Sequence, residues 1–208
     1  MLINEIFYSL QGEGPWVGLP AIFIRLGGCV EPLCPWCDTK YAMDEYTDMA
    51  CSDIIKQVRA SSCPHIVITG GEPFLQWESG LAELHDKLVR LGYHLQYETS
   101  GKVPVPDLKD ATIVCSPKYI EGMWYFDRSN LSKIDVFKFV AQEETFNAIT
   151  KFITENQIEK ERVYIMPIGA TKKEQVKNMK SVFNFCKDQG YRMTPRLHIL
   201  IFDGKRGV

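Results

Sequence analysis

The chain has 208 residues, of which 45% are hydrophobic and 24% are charged, and its formal net charge at pH 7 is -2. This composition is typical of a globular protein, and the near-neutral charge gives no bulk electrostatic reason to expect binding to nucleic acid or to an anionic membrane. The length suits a single domain over residues 1–208 with a sizeable core, and no apolar stretch approaches the ~18 residues that a membrane span needs.

Segments rich in β-branched and aromatic residues recur along the chain and are predicted to be strands. Several of them are nearly continuous apolar runs, which is the pattern of strands covered on both faces of a sheet. The predicted strands are residues 21–26, 65–70, 94–99, 111–116, 135–140, 162–167 and 196–202.

Amphipathic patterns between these strands predict helices over residues 52–61, 79–92, 143–156 and 172–190. Ser52 is expected to cap the first helix, and Gly92 and Gly190 to end the second and the fourth. The segment 117–134 shows no clear helix and is predicted to be an irregular connection. Alternating strands and helices predict parallel strands joined by crossovers, so the fold class is α/β, with about six such units, too few for an eight-fold barrel.

Polar or glycine-rich motifs follow four consecutive predicted strands. Three cysteines follow the first strand, and the motifs TGGEP, ETSG and CSPK come at the ends of the next three. Because α/β folds of this kind carry their sites at the carboxyl ends of the strands, these motifs are expected to form one site.

Three of the seven cysteines crowd into one glycine- and proline-rich loop, GGCVEPLCPWCDT, at positions Cys29, Cys34 and Cys37. A structural zinc site normally needs four ligands, and a redox pair of Cys34 and Cys37 leaves Cys29 unexplained. Three thiolates on a four-iron cluster leave one iron open for a substrate or cofactor, which favours a reactive iron–sulfur cluster. The remaining cysteines are expected to be small buried side chains: Cys51, Cys63, Cys115 and Cys186.

The N-terminal segment has no basic stretch followed by a long apolar run, so it does not predict a signal peptide. The number of cysteines is odd. Both observations indicate a cytoplasmic protein whose thiols are reduced or bind metal, rather than one held by a disulfide framework.

The cysteine loop together with ITGGEP at residues 68–73 resembles the radical S-adenosylmethionine (SAM) superfamily. In that superfamily three cysteines, usually spaced CxxxCxxC, bind a [4Fe–4S] cluster whose unique iron is chelated by SAM. This chain has four residues, not three, between its first two cysteines. The resemblance implies a fold of the radical SAM type, here a partial (β/α)6 barrel.

The run FYSLQGEGPWVGLPAIFIRLGGC resembles the start of the 7-carboxy-7-deazaguanine synthase family, in which the first cysteine interval varies. The resemblance extends to CDTKY, ETSG, SPK and the terminal RLHILIFDGKRGV. It implies a lyase of queuosine precursor biosynthesis that converts 6-carboxy-5,6,7,8-tetrahydropterin to 7-carboxy-7-deazaguanine with loss of ammonia, through a 5′-deoxyadenosyl radical. It also implies a homodimer and a flavodoxin or ferredoxin as electron donor.

The same resemblance implies roles for individual residues. The cluster ligands would be Cys29, Cys34 and Cys37, and the Mg²⁺ ligand Thr39. The substrate would be bound by Gln11, Gly12, Glu13, Arg25, Thr69 and Val208. The SAM site would be lined by Gly71, Glu98, Thr99, Ser116, Pro117, Lys118, Met166, Pro167, Ile168 and Gly169. His198 is interpreted either as a further site residue or as a structural residue of the last predicted strand.

Less specific interpretations of these motifs stay open at the level of sequence. QGEG and TGGEP both suit simple turns, and Thr39 suits a local loop hydrogen bond. A small activase that installs a glycyl radical on a partner protein, or a zinc-stabilised binding module, would account for the cysteines. QGEG and Arg25 argue against the activase because an amide, a carboxylate and a guanidinium suit a small heterocyclic carboxylate.

Overall fold

The chain folds around one large sheet built from nine of its strands, and the computed structural model describes residues 1–208. The strands are β1 (Leu2–Leu10), β2 (Pro20–Leu26), β3 (Thr47–Asp48), β4 (His65–Gly70), β5 (His94–Thr99), β6 (Ala111–Cys115), β7 (Lys118–Ile120), β8 (Met123–Tyr125), β9 (Val136–Ala141), β10 (Val163–Pro167) and β11 (Arg192–Met193). The helices are α1 (Cys51–Val58), α2 (Ala82–Arg90), α3 (Phe146–Glu155), α4 (Lys172–Gln189) and α5 (Leu197–Phe202).

The centre of the sheet is parallel. The strand order is β11-β10-β9-β6-β5-β4-β2-β1-β3, and every pairing from β2 to β11 along this order is parallel. Strands β1 and β3 add an antiparallel edge. The α/β class with a large parallel sheet is therefore confirmed, and the first six predicted strands correspond to β2, β4, β5, β6, β9 and β10.

The predicted strand over residues 196–202 is wrong, because residues 197–202 form helix α5. A short apolar run does not distinguish the period of a strand from that of a helix. In the structure Ile199 is buried, whereas Ile201 and Phe202 are exposed.

Several elements were not predicted. Strand β1 mixes polar and apolar residues and lies near the sheet edge, so it lacks the continuous apolar run of the central strands. The segment predicted to be irregular, 117–134, contains the β7–β8 hairpin, which forms a separate two-stranded sheet. The expected cap at Ser52 is also wrong: Ala50 is the N-cap residue of α1, and Ser52 lies in its first turn.

Helix α4 has the clearest local signals of its boundaries. Thr171 and Glu174 form a capping box at its start, with the Thr171 hydroxyl accepting from the Glu174 backbone amide. Gly190 ends it in the left-handed conformation at φ 76°, as the sequence predicted. None of the helices combines the length and apolar character that crossing a membrane would require.

The main hydrophobic core lies between the parallel sheet and the helices. A cluster of 31 buried residues joins the strand side chains Ile24, Ile68, Leu95 and Phe139 to the apolar faces of the helices, such as Leu84 on α2. Because side chains alternate along a strand, the residues between these core positions point to the opposite face of the sheet. That second face carries the site.

Candidate active site

Neighbouring parallel strands direct polar side chains away from the helical core. Arg25 lies between the core residues Ile24 and Leu26 on β2, and Lys138 lies between Phe137 and Phe139 on β9. By the same alternation, β4 presents Thr69, and β5 presents Gln96 and Glu98. The folding pattern that buries one face therefore assembles a charged group on the other.

All of these side chains except Gln96 line a cavity of about 210 Å³. Most residues predicted for the site lie on its walls: Gln11, Gly12, Glu13, Arg25, Cys29, Cys34, Cys37, Thr39, Thr69, Gly71, Glu98, Thr99, Ser116, Lys118, Met166 and Val208. His198 lies there too. The cavity thus brings together segments from the first dozen residues to the last one.

Four residues predicted for the SAM site do not line the cavity: Pro117, Pro167, Ile168 and Gly169. The last three present their carbonyl groups to other side chains. Gln175 donates to the carbonyl oxygens of Pro167 and Gly169, and Asn178 donates to that of Ile168. This segment is therefore tied to helix α4.

Several charged residues on the cavity walls were not predicted: Asp38, Lys102, Lys138 and Arg196. A sequence signal existed for two of them. Asp38 lies between a proposed cluster cysteine and Thr39, and Lys138 is a charge inside an apolar strand, as Arg25 is. Arg196 was hidden by the incorrect strand assignment.

Lys138 lies buried between two carboxylates. Its ammonium Nζ is 2.6 Å from Glu13 Oε2 and 2.7 Å from Glu98 Oε2. Glu98 Oε1 also accepts hydrogen bonds from Gln11 at 3.3 Å and from Gln96 at 2.9 Å. Lys138 therefore fixes the relative positions of a carboxylate from the first loop and a carboxylate from β5.

The two carboxylates differ in acidity. Burial raises the pKa of Glu13, but the Lys138 ammonium and the Arg196 guanidinium outweigh it and lower the pKa to about 2. Burial also raises the pKa of Glu98, and Lys138 offsets only part of that shift, so the pKa stays above its usual value. Glu13 is therefore the more acidic member of the pair, and Glu98 is the one more readily protonated.

A second ion-pair group lies beside the first. Arg196, which is 7% exposed, has Nε 3.2 Å from Glu13 Oε1, without hydrogen-bond alignment, and Nη1 3.4 Å from Asp38 Oδ2. His198 Nε2 lies 3.8 Å from the same Asp38 oxygen. Ligand atoms of Glu13, Asp38 and His198 lie within 4.8 Å of one another, as metal ligands would, but Arg196 already forms ion pairs with both carboxylates. The group fits an ion-pair cluster better than a cation site.

The end of the chain is held against the first loop at this point. The Leu197 amide donates to the Gly12 carbonyl at 3.0 Å. A Cβ on Gly12 would lie 2.3 Å from His198 Nδ1, so only glycine permits this approach. The interpretation of His198 as a strand residue is therefore wrong: it lies in helix α5 and lines the cavity.

Arg25 has a partner that the sequence did not indicate. Its Nε donates to Glu5 Oε1 at 2.7 Å, and the same oxygen accepts from the Tyr41 hydroxyl at 3.1 Å. Only Nε of Arg25 makes a protein hydrogen bond, although the guanidinium lines the cavity. Glu5 thus orients the guanidinium and leaves its two terminal nitrogens available to a ligand.

The glycines of TGGEP serve the packing of two loops against each other. A Cβ on Gly71 would lie 1.5 Å from the carbonyl oxygen of Gly28, the residue before Cys29. Glu72, fully buried, accepts from the Thr99 hydroxyl at 2.7 Å and from the Ser100 amide at 2.9 Å. Gly71 therefore lets the backbone after β4 approach the cysteine loop closely.

Gly71→Ala is expected to destabilise the protein by about 3 kcal/mol, because the obstructing atom is backbone and cannot rotate away. Urea unfolding of the metal-free protein measures the change. Gly204→Ala is the matched control, since a Cβ there meets no atom within 4 Å, and its effect should stay within about 0.5 kcal/mol. Equal stabilities of the two variants would contradict the close packing of the loops.

The three loop cysteines provide a donor set that fits a [4Fe–4S] cluster with one open iron. Cys29, Cys34 and Cys37 are free thiols of intermediate burial on the cavity wall, and no other cysteine lines it. Thr39 Oγ1 lies 3.5 Å from Cys37 Sγ, so its hydroxyl is at the same wall. Of the other cysteines, Cys63, Cys115 and Cys186 are buried as predicted, and Cys51 is only partly buried.

Comparison with known proteins gives a consistent result, although no protein-family model matches the chain. The chain is 34% identical to a 7-carboxy-7-deazaguanine synthase of Pyrobaculum aerophilum, over 99% of this chain and 96% of that protein. It is 33% identical to the Halobacterium salinarum protein of the same name, over 97% and 90% of the two chains. Among solved structures it is similar to QueE from Escherichia coli, with a TM-score of 0.81, 27% identity and coverage of 95% and 94%.

Proposed function

Since the chain belongs to the 7-carboxy-7-deazaguanine synthase family of radical SAM enzymes, we propose that it converts 6-carboxy-5,6,7,8-tetrahydropterin to 7-carboxy-7-deazaguanine with loss of ammonia in queuosine precursor biosynthesis. The observation that carries the proposal is one cavity that joins three free thiols to a paired carboxylate group and a guanidinium. We also propose a single domain over residues 1–208 with the partial (β/α)6 barrel of the radical SAM type, which the run of parallel strands supports.

We assign the cofactors to the thiol end of the cavity. Cys29, Cys34 and Cys37 would hold a [4Fe–4S] cluster whose fourth iron binds SAM, and Thr39 would contribute one oxygen to Mg²⁺. When bound, the cluster and SAM supply the radical that starts the ring contraction, while the protein positions the reactants. For SAM, the cavity walls support Gly71, Thr99, Ser116, Lys118 and Met166. The contacts assigned to Pro117 and to residues 167–169 stay predictions of the family resemblance.

We assign the other end of the cavity to the pterin. The pterin edge offers an amino group and a ring N–H, which suit the acceptor oxygens of Glu13 and Glu98. Glu98 was predicted to line the SAM site, but its hydrogen bond from Gln11 and its ion pair with Lys138 support a role in reading the substrate instead. Gly12 allows the tight loop beside them, and Thr69 and Val208 also line this cavity.

Arg25 would bind the substrate carboxylate. Its terminal nitrogens are unused by the protein, and a guanidinium fork pairs well with a carboxylate. The Glu5 contact holds the fork in one orientation before the substrate arrives, which lowers the entropic cost of binding. The homodimer, the cytoplasmic location and the flavodoxin or ferredoxin electron donor stay predictions of the sequence.

The test begins with elemental analysis of anaerobically purified protein, in which we expect iron and sulfide. The reconstituted protein is then incubated with SAM, Mg²⁺, dithionite and 6-carboxytetrahydropterin, and 7-carboxy-7-deazaguanine is measured by mass spectrometry. Zinc without iron would favour the binding module. An intact cluster that cleaves SAM but yields no deazaguanine would favour the glycyl-radical activase.

A further inference from the structure

Lys102 reaches from the loop after β5 to the loop that separates the first two cluster cysteines. Its ammonium Nζ donates to the carbonyl oxygen of Val30 at 3.2 Å and to that of Pro32 at 2.5 Å. Both carbonyls belong to the four residues between Cys29 and Cys34, the interval in which this chain is longer than the usual superfamily spacing. The longer interval is therefore held by a side chain more than sixty positions away.

The backbone from which Lys102 extends is itself tied to the cysteine loop. The Lys102 amide donates to Ser100 Oγ at 3.3 Å, and the Ser100 amide donates to Glu72 Oε2 at 2.9 Å. The Glu72 amide in turn donates to the Gly28 carbonyl at 2.9 Å. The loops after β2, β4 and β5 thus form a closed circuit of hydrogen bonds, in which Lys102 supplies the side-chain contacts to the residues between the first two thiols.

The ammonium of Lys102 has no acidic partner. It takes part in no salt bridge, and both of its hydrogen bonds end on neutral carbonyls, while the Tyr125 ring lies 5.8 Å away. The side chain is half-buried on the cavity wall, so its field is only partly screened by water.

We propose that Lys102 is a positioning residue for the cluster, which fixes the long interval between Cys29 and Cys34 through two backbone carbonyls and holds an unneutralised positive charge beside the bound cluster. The charge has a consequence for electron transfer. Because reduction adds one negative charge to the cluster, a nearby cation stabilises the reduced state and raises the reduction potential. This inference rests on the proposed function, since it requires a [4Fe–4S] cluster at the three thiols.

Three replacements separate the two roles of Lys102. Lys102→Met removes both the charge and the hydrogen bonds, Lys102→Gln keeps a donor without the charge, and Lys102→Arg keeps both. Lys133→Met is the matched control, because Lys133 also donates to a backbone carbonyl, that of Val105 at 2.6 Å, but lies outside the cavity.

The loop is tested without any metal. Hydrogen exchange of the metal-free protein should become faster in the peptide covering residues 28–37 in Lys102→Met. It should be less affected in Lys102→Gln and unchanged in Lys102→Arg and Lys133→Met. Unchanged exchange in Lys102→Met would overturn the positioning role, and this result does not depend on whether iron binds.

The charge is tested on the reconstituted protein by an anaerobic titration with a low-potential one-electron reductant, followed by electron paramagnetic resonance. Lys102→Met and Lys102→Gln should lower the equilibrium constant for reduction on the order of tenfold, about 59 mV for one electron. Lys102→Arg and Lys133→Met should match the original protein. Equal potentials in all variants would overturn the electrostatic role, whereas failure of the original protein to form a cluster would overturn the proposed function.

Discussion

Replacing Cys37 with serine is expected to reduce deazaguanine formation at least ~1000-fold and to leave the reconstituted protein short of iron and sulfide. Cys37 lies on the cavity wall with Cys29 and Cys34, and no other cysteine is there to replace it. A serine hydroxyl is a poor substitute because it stays protonated at neutral pH and is a harder donor than a thiolate. Activity, iron content and the visible absorbance of the cluster are measured on the same preparation.

Cys51→Ser is the control for that experiment. Cys51 is also a free, partly buried cysteine, but it begins helix α1 and does not line the cavity. The Cys51→Ser protein should bind the same amount of iron as the original protein and retain its activity. The metal-free Cys37→Ser protein should unfold at the temperature of the original protein. Full iron loading in Cys37→Ser would contradict a cluster held by these three thiols.

The parallel sheet could be predicted because its strands are buried on both faces. Their nearly continuous apolar runs are local signals, and the six central parallel strands were predicted correctly. Strand β1 and the β7–β8 hairpin have no such signal, since their residues are mixed in polarity. Strand β1 lies next to the edge strand, and the hairpin lies outside the main sheet. Both pair with strands that are close in sequence, β1 with β2 and β7 with β8, so what hid them is their mixed polarity and not the distance to a partner.

That the three thiols and the QGEG loop line one cavity could also be predicted, because each forms a compact motif. The charge network could not. Lys138 pairs with Glu13 across 125 positions, and Arg196 reaches Asp38 across a still longer separation. A charged residue in an apolar strand indicates that it needs a partner, but not which one. The partners become visible only when the strand alternation and helix α5 are known.

Lys138→Met is expected to destabilise the protein by about 3–5 kcal/mol, because it leaves two buried carboxylates without their shared cation. Glu13 keeps Arg196 as a partner, so the larger part of the penalty falls on Glu98. The same change should raise KM for the pterin more than it lowers kcat, since the spacing of the two acceptors is lost. Urea unfolding and steady-state kinetics give the two quantities.

A second replacement shows whether the loss comes from the unpaired charge. Glu98→Gln combined with Lys138→Met removes the carboxylate that would be left uncompensated, while the introduced amide stays within reach of Gln11 and Gln96. Stability should recover by about 2 kcal/mol relative to Lys138→Met alone, a coupling of the size found between contacting charged residues. The higher KM should remain, because the carboxylate acceptor itself is gone.

Lys133→Met serves as the control for this pair as well, because it removes a lysine that donates only to a backbone carbonyl. Lys133→Met should lower the free energy of unfolding by no more than about 1–2 kcal/mol and leave KM unchanged. If Lys138→Met were as mild as this control, the ammonium would not be what holds Glu13 and Glu98 together at the cavity wall. A strong loss of stability that Glu98→Gln fails to relieve would instead assign the penalty to packing around the lysine stem.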